Sequence, residues 1–272
     1  MARFLALLLL TGCASVPTSF VVTTSGSGKP VVLLPDLAMP REAWDTTVEH
    51  LKGRYQVHVV EVAGFAGRAP VAGPLMPLLR TELATYLKEH HLEGAVLVGL
   101  MFGASVAWWL AESEPALIGG VFSIDTPPSR FNGEIDPEAA EGRDALSHAP
   151  PERFAKMMRS RFSRLMNDQT IAARLADQAV RSTPAVMADG FYDSMTRDLR
   201  DVSSIRAPVM CLLTTESVPP EVREPQQELF RAQLSQIAKH ELVVVPGAHH
   251  YVMFDDPTVY FSALDKFLAE TR

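Results

Sequence analysis

A sharp turn with a glycine on each side is the most informative chemical feature of this sequence. It lies in the run Gly99-Leu100-Met101-Phe102-Gly103, which follows an apolar segment and precedes a helical one. In the G-x-S-x-G pattern such a turn presents a nucleophilic serine to a pocket. Met101 stands where that pattern has its serine. A thioether has no proton to release, so the usual acyl-enzyme chemistry is closed to it.

A second candidate group is the histidine pair His249-His250 near the C-terminus. The pair follows the apolar run 242–245 and precedes Asp255-Asp256-Pro257, so we expect it between the last strand and the last helix. His250 is the candidate general base, and His249 is expected to be structural. Adjacent histidines without an H-x-H or H-E-x-x-H pattern do not make a metal site. We therefore expect neither a metal nor another cofactor.

Two carboxylates compete to orient the imidazole of His250, as a general base requires. Asp125 follows the apolar run 120–124, and Glu216 follows the run 209–215. Each lies at the end of an expected strand, where an acidic residue also serves as an ordinary turn residue. The sequence favours Asp125 and leaves Glu216 as the alternative acid.

Short apolar runs alternate with helical stretches along the chain, which predicts an α/β fold with a mostly parallel sheet and helices on both faces. Strands are expected near residues 19–23, 30–34, 55–61, 94–98, 119–125, 208–214 and 241–245. A highly charged helical stretch, from about residue 127 to about 205, separates two of them. Because ligands bind outside the carboxyl ends of such strands, we expect this insertion to form a cap over a pocket.

The order of these segments resembles that of α/β-hydrolase-fold serine hydrolases of the esterase and lipase type, over nearly all of residues 28–271. The resemblance implies that Met101 takes the nucleophile position and His250 the base position. Asp125 or Glu216 would then be the acid. The ligand that it implies is a small ester or acyl-like molecule.

The same resemblance implies an oxyanion hole made by the backbone N–H groups of Leu37 and Phe102. Pro35-Asp36 stands in the first of these loops, where a His-Gly pair is common in the family. If Asp36 points inward, its carboxylate repels a developing oxyanion in a medium of low dielectric constant. Asp36 is thus a second departure from the hydrolase pattern, after Met101.

No other side chain is expected to replace the missing nucleophile. Ser105 is about one helical turn beyond Met101, so its hydroxyl is expected to be buried on the helix flank. Cys211 lies inside the apolar run 209–213, where an inert buried thiol is expected. The serines near strand ends that lack a surrounding elbow are Ser123, Ser129 and Ser217.

The N-terminus combines Arg3, an apolar run at 4–10 and the sequence Leu10-Thr11-Gly12-Cys13. This resembles a bacterial lipoprotein signal, and the apolar run is too short to span a bilayer. The resemblance implies that residues 1–12 are removed and that lipidated Cys13 anchors the protein in the membrane. Residues 13–27 would be a tether to a domain at 28–272. The two residues after Cys13, Ala14 and Ser15, are not acidic. This favours the outer membrane of the cell envelope, facing the periplasm.

Composition limits the classes of function. A hydrophobic content of 47% over 272 residues indicates a globular domain. The formal net charge is −7, and no dense run of Lys or Arg occurs, so a nucleic-acid partner is not expected. If Cys13 is lipidated, Cys211 has no partner for a disulfide, and stability must come from the core. The sequence gives no oligomeric state.

Three functions stay open at this point. The chain is a non-catalytic ligand-binding or interaction lipoprotein, or a member or variant of an esterase family in which Met101 has replaced serine. Alternatively, His250 acts as a general base in chemistry that needs no nucleophile, such as proton abstraction. In each case Met101 closes the ordinary serine route.

Overall fold

A single seven-stranded sheet organises the molecule. The computed structural model describes residues 18–129, 137–196 and 201–271. The strands are β1 (Phe20–Ser25), β2 (Lys29–Leu34), β3 (Tyr55–Val62), β4 (Ala95–Leu100), β5 (Ile118–Ile124), β6 (Val209–Thr214) and β7 (His240–Val245). Their order is β1-β3-β2-β4-β5-β6-β7, with β1 antiparallel to β3 and the other neighbouring pairs parallel. The mostly parallel sheet predicted from the sequence is confirmed.

Ten α-helices are present in the described part of the chain. They are α1 (Asp45–Leu51), α2 (Leu75–Glu89), α3 (Phe102–Ser113), α4 (Pro137–Ser147), α5 (Pro151–Ser163), α6 (Gln169–Ala179), α7 (Pro184–Thr196), α8 (Pro220–Leu234), α9 (Val252–Asp255) and α10 (Pro257–Glu270). Short 3-10 helices occur at Arg41–Trp44 and Val202–Ser204.

The register of the central strands shows that helices cover both faces of the sheet. Gly99 of β4 is level with Leu34 and Ser123, and helix α3 packs closely over it at Ala104. Phe122 is one residue from Ser123 and therefore points to the opposite face, where its ring contacts Phe267 of α10 at 5.8 Å between centroids. Strand β4 is consequently buried along its whole length, which explains its continuous apolar sequence.

Helices α4 to α7 lie between β5 and β6, in the stretch where the sequence predicts a cap. In α5 the residues Phe154, Met158 and Phe162 recur at helical spacing and are all buried, as expected of an amphipathic helix that packs on a core. On α7, by contrast, Phe191 and Met195 are exposed.

The predicted signal at 1–12 and the predicted lipidation site Cys13 lie outside the described residues. The described part of the segment predicted as a tether, 18–27, contains β1, which pairs with β3 along its length. The backbone groups of Phe20–Ser25 are therefore bonded into the sheet. No helix in the described ranges is both long and apolar enough to cross a membrane.

Candidate active site

The parallel strands bring several sequence-predicted residues to one edge of the sheet. Met101 follows β4, Asp125 follows β5 and Glu216 follows β6 by two residues. Because parallel strands all point the same way, the residues after them meet at a common edge. His250 lies in the loop after β7, and Leu37 lies in the loop after β2.

Met101 occupies a strained turn between β4 and α3. Its backbone angles are φ 44° and ψ −101°, a combination that is sterically disfavoured for a residue with a Cβ. Hydrogen bonds from two sides hold it. Met101 N–H donates to the Ile124 carbonyl at 3.1 Å, and the Met101 carbonyl accepts from Ser105 N–H at 3.0 Å and from Thr126 Oγ1 at 3.2 Å. The turn is thus fixed from β5 as well as from its own helix.

The two glycines that flank Met101 are required by close packing. A Cβ placed on Gly99 would lie 2.5 Å from the backbone N of Ala104, and one placed on Gly103 would lie 2.3 Å from the Leu34 carbonyl oxygen. Real Cβ atoms do not approach backbone atoms so closely, so any larger residue would push α3 away from β2. The glycine spacing noted in the sequence therefore reflects a tight strand–turn–helix.

His250 is paired with Asp125. His250 Nδ1 lies 2.7 Å from Asp125 Oδ2, and the two side chains are 16% and 1% exposed. Thr214 fixes the carboxylate in turn, because its N–H donates to Oδ1 at 2.6 Å and its hydroxyl to Oδ2 at 2.5 Å. When Nδ1 carries its proton towards Asp125, Nε2 is the basic nitrogen of the ring. The pair therefore has the geometry of an oriented general base.

Glu216, the alternative acid, has other partners. Its carboxylate accepts from Thr215 Oγ1 at 2.9 Å and from Arg223 Nη2 at 2.9 Å. These hydrogen bonds and the charge of Arg223 lower the pKa of Glu216. The structure thus brings Asp125, and not Glu216, to the imidazole of His250.

His249 is held by a different carboxylate. Its backbone N–H and its ring Nδ1 lie 2.9 Å and 3.0 Å from Asp255 Oδ2, and the other oxygen of Asp255 accepts from the N–H of Asn167 at 2.7 Å. Asp255 therefore ties the histidine loop to the segment between α5 and α6. This arrangement agrees with the structural role expected for His249.

Leu37 and Phe102 both lie against helix α7. Phe102 is the first residue of α3, where a helix leaves its N–H groups without an intrahelical acceptor. A Cβ placed on Gly190 of α7 would lie 2.8 Å from Leu37 Cδ2 and 3.2 Å from Phe102 Cε2. Gly190 therefore allows the cap helix to sit directly on both side chains. Sequence reasoning missed Gly190, because a glycine inside a helix gives no sign of its distant neighbours.

Asp36 is buried, and Arg161 of α5 lies 2.5 Å from it, between Nη2 and Oδ2. Arg161 thus supplies a counter-charge to the carboxylate whose repulsion was expected from the sequence, and it was not among the predicted site residues. The sequence pattern could have indicated this pair, because Arg161 follows Phe154 and Met158 at helical spacing and therefore lies on the buried face of α5. A charge within an apolar stripe indicates a buried partner.

The other candidate nucleophiles have local hydrogen bonds or are buried. Ser105 Oγ lies 3.4 Å from the Met101 carbonyl, and Ser123 Oγ donates to the Thr126 carbonyl at 2.7 Å. Cys211 is fully buried, and burial raises the pKa of its thiol. Among the described residues no group of three His, Cys, Asp or Glu side chains is arranged to hold a metal ion.

Comparison with known proteins gives relatives that are named esterases. The chain is 26% identical over 271 aligned positions to a pimeloyl-[acyl-carrier protein] methyl ester esterase of Sodalis glossinidius, covering 91% of this chain and 96% of that protein. It is 34% identical over 113 residues to the enzyme of the same name from Aeromonas hydrophila, covering 40% of this chain and 42% of that protein. The stronger local match therefore spans less than half of the relative.

Solved structures share the fold at low identity. A thermophilic esterase from Thermogutta terrifontis superposes with a TM-score of 0.76 at 21% identity, covering 93% of both chains. A bromoperoxidase from Bacillus anthracis superposes with a TM-score of 0.79 at 17% identity, covering 94% of this chain and 97% of that one. The model of the alpha/beta hydrolase family matches residues 31–263. The strand order and the strained turn after β4 agree with this match, which covers most of the chain. The chain therefore belongs to the alpha/beta hydrolase family.

Proposed function

We propose that this protein carries an ester-hydrolase site without its nucleophile, and that it binds a small ester or acyl-type ligand without cleaving it through an acyl-enzyme. The observation that carries the proposal is Met101 at the strained turn after β4, beside an oriented His250–Asp125 pair. Relatives that are named methyl ester esterases support the ligand class.

The chemical reason lies in the side chain of Met101. Acyl transfer needs a group that attacks the carbonyl carbon after losing a proton to a base. A thioether sulfur has no such proton, and its adduct with an acyl group would carry a positive charge. His250 then has no hydroxyl to activate, although its own orientation by Asp125 is complete.

Hydrolysis of short-chain p-nitrophenyl esters tests this proposal. We expect no turnover by the present chain, and turnover by the variant Met101→Ser that is lost again in Met101→Ser/His250→Ala. Met101→Ala is the matched control, because it removes the thioether without adding a hydroxyl. Turnover by the present chain that depends on His250 would overturn the proposal, as would an inert and correctly folded Met101→Ser.

Bound acyl ligands give the second half of the test. Short-chain carboxylates titrated into the native chain should perturb signals of Met101 and His250 in NMR spectra. A ligand that perturbs only residues far from this edge of the sheet would contradict the assignment of the ligand site to Met101 and His250.

A second candidate is chemistry in which His250 itself removes a proton from the substrate. The specific observation in its favour is the 2.7 Å pair of His250 with a buried carboxylate, since an oriented imidazole is what a general base needs. Under this alternative His250→Ala abolishes an activity of the native chain while Met101→Ala and Met101→Leu retain it. The ester assay separates the two candidates, because only the first predicts a gain with serine.

Anchorage in the cell envelope through lipidated Cys13 is part of the proposal and rests on the sequence motif alone. Metabolic labelling with a radioactive fatty acid tests it. We expect label in the native chain and none in Cys13→Ser, whereas Cys211→Ser serves as the matched control and keeps the label. Labelling that persists in Cys13→Ser would contradict the anchor.

A further inference from the structure

A cluster of three polar side chains, two of them buried and one mostly buried, comes from three separate elements beside the candidate site. Asp36 comes from the loop after β2, Arg161 from cap helix α5 and Tyr251 from the loop before α9. Asp36 directly precedes Leu37, and Tyr251 directly follows His250. The cluster therefore lies between the candidate oxyanion loop and the candidate base.

The Asp36–Arg161 pair is more buried than the Arg159–Asp177 pair of the same helix. The Asp36 side chain is 1% exposed and that of Arg161 is 20% exposed, whereas Arg159 and its partner Asp177 are 55% and 62% exposed. A buried carboxylate without a counter-charge is strongly unfavourable. Arg161 is thus the group that allows Asp36 to be buried and charged.

The polar atoms of the cluster are only partly satisfied. Among the described residues no hydrogen-bond partner is found for Asp36 Oδ1, Arg161 Nε or the hydroxyl of Tyr251. The Asp36–Arg161 ion pair is therefore the main polar contact of this cluster, and the charge balance of the cluster depends on it.

The charges of the cluster influence one another, as the pKa directions show. Burial opposes the charged form of Arg161, but the charge of Asp36 acts against burial and the pKa of Arg161 is raised overall. Burial, and then the charge of Asp36, raises the pKa of Tyr251 well above its ordinary value, while Arg161 acts in the opposite sense. Asp36 and Arg161 therefore act in opposite senses on the pKa of Tyr251, the residue next to His250.

We propose that Arg161 is a positioning residue of the oxyanion loop, which it holds in place from the cap and whose Asp36 charge it cancels. The inference rests on the proposed function, because it assumes that the N–H of Leu37 receives an anionic ligand oxygen. With Arg161 in place, an anion at this N–H meets a nearly neutral pair. Without it, the anion meets the unscreened carboxylate of the preceding residue, which repels it at low dielectric.

The consequence is that helix α5 controls the electrostatics of the candidate site. Arg161 belongs to α5, while Asp36 belongs to the loop after β2, so the charge of Asp36 is cancelled only when α5 is seated on this loop. An oxyanion site at the N–H of Leu37 can then coexist with the acidic residue that precedes it in the chain.

A double-variant cycle on the full chain tests the proposal. The probe is butyrate, the carboxylate product of a short-chain ester, and its affinity is measured for native protein, Arg161→Met, Asp36→Asn and Asp36→Asn/Arg161→Met. Arg159→Met is the matched control, because it removes an arginine from the same helix whose partner is exposed. Backbone amide signals of Leu37 and Phe102 are recorded in parallel without butyrate.

The expected changes have opposite signs. Arg161→Met should weaken butyrate binding about tenfold, since the charge of Asp36 is then uncancelled. Asp36→Asn should tighten binding, because Arg161 is left with an uncancelled positive charge. The double variant should return to within about threefold of native, by cancellation of the two effects. Arg159→Met should bind as the native chain does.

A purely structural role for the pair predicts a different pattern and would overturn the proposal. Both single variants would then weaken binding, and the double variant would be no better than Arg161→Met. If Arg161→Met does not fold, Asp36→Asn decides alone, since tighter binding supports the proposal and weaker binding refutes it.

The amide signals separate this inference from the proposed function. If the native chain binds no butyrate, the proposed ligand class is wrong. The inference then stands only if the Leu37 signal shifts in Arg161→Met and returns in the double variant. A Leu37 amide signal that does not shift in Arg161→Met refutes the positioning role, whether or not butyrate binds.

Discussion

At Met101 the backbone and the side chain have separate consequences. The backbone keeps the strained conformation that presents a side chain at the edge of the sheet, while the thioether lacks the proton that acyl transfer requires. The sequence indicated both facts, because the glycines lie two residues on either side of the methionine. It left the acid open between Asp125 and Glu216, since each ends a strand and only their partners distinguish them.

Replacement of Asp125 should therefore cost activity that replacement of Glu216 does not. In the Met101→Ser background we expect Asp125→Asn to lower kcat for ester hydrolysis about a thousandfold or more, because the amide carries no charge to stabilise the imidazolium and can donate to Nδ1, which favours the wrong tautomer. Glu216→Gln, whose carboxylate faces Arg223, should retain kcat within about twofold. Steady-state kinetics with p-nitrophenyl butyrate measure both.

The opposite ranking would show that the pairing of His250 changes when serine is present. A loss in both variants would instead indicate that the histidine loop as a whole depends on its acidic neighbours.

At the scale of elements, the site depends on how closely α3 and the cap approach the sheet. Gly103 faces the Leu34 carbonyl, and Gly190 faces Leu37 and Phe102. The sequence pattern revealed the first of these glycines, because its spacing from Gly99 belongs to a local strand–turn–helix. It did not reveal Gly190, which is required because α7 packs on Leu37 and Phe102, two residues far away in the sequence.

Gly103→Ala should destabilise the protein by about 2 kcal/mol or more, because the added methyl group overlaps a backbone oxygen that cannot move aside. Gly142→Ala is the matched control. Gly142 lies inside α4 with nothing within 4 Å of an added Cβ, so alanine should stabilise by about 0.5–1 kcal/mol. Urea unfolding followed by circular dichroism gives both values.

Equal effects of the two substitutions would contradict the packing argument. Such a result would mean that α3 moves freely away from β2, and the turn at Met101 would then not be fixed by its neighbours.

At the scale of the whole molecule, buried titratable groups limit the pH range of stability. Burial, and then the charge of His90, lowers the pKa of His58. Burial raises the pKa of Cys211, Tyr251 and Tyr260. Both directions mean that the folded state resists the charged form of these side chains, which the unfolded chain adopts readily.

Stability should accordingly be highest near neutral pH and fall on both sides. A lowered pKa in the folded state means that His58 contributes stability above about pH 6.5 that is lost as the pH falls. Raised values mean that Cys211 and the two tyrosines contribute stability that is lost as the pH rises above about 8.5 and then about 10. Urea midpoints measured from pH 5 to pH 10.5 test this.

Variants show which residues cause the loss of stability at low pH and at high pH. His58→Asn should flatten the decline between pH 6.5 and pH 5, and Cys211→Ala should reduce the decline that begins near pH 8.5, in line with the unfolded-state values. A profile that is unchanged in both variants would place the titrating groups elsewhere.

The sequence by itself determined the elements of this protein. Continuous apolar runs such as 95–98 predict buried parallel strands, because strands covered on both faces need apolar residues throughout. The glycine spacing around Met101 predicts the sharp turn, because its packing partners are a few residues away. These are local consequences of periodicity and backbone sterics, and the predicted α/β sheet agrees with the structure.

Only the tertiary structure decided which side chains meet. His250 pairs with Asp125, and Arg161 pairs with Asp36, each across 125 residues of sequence. Glu216 faces Arg223, and Gly190 faces Leu37. Such contacts depend on where loops from different strands converge, which no local pattern records. The physical reason is that a carboxylate or a glycine has the same local propensities whichever partner the fold brings to it.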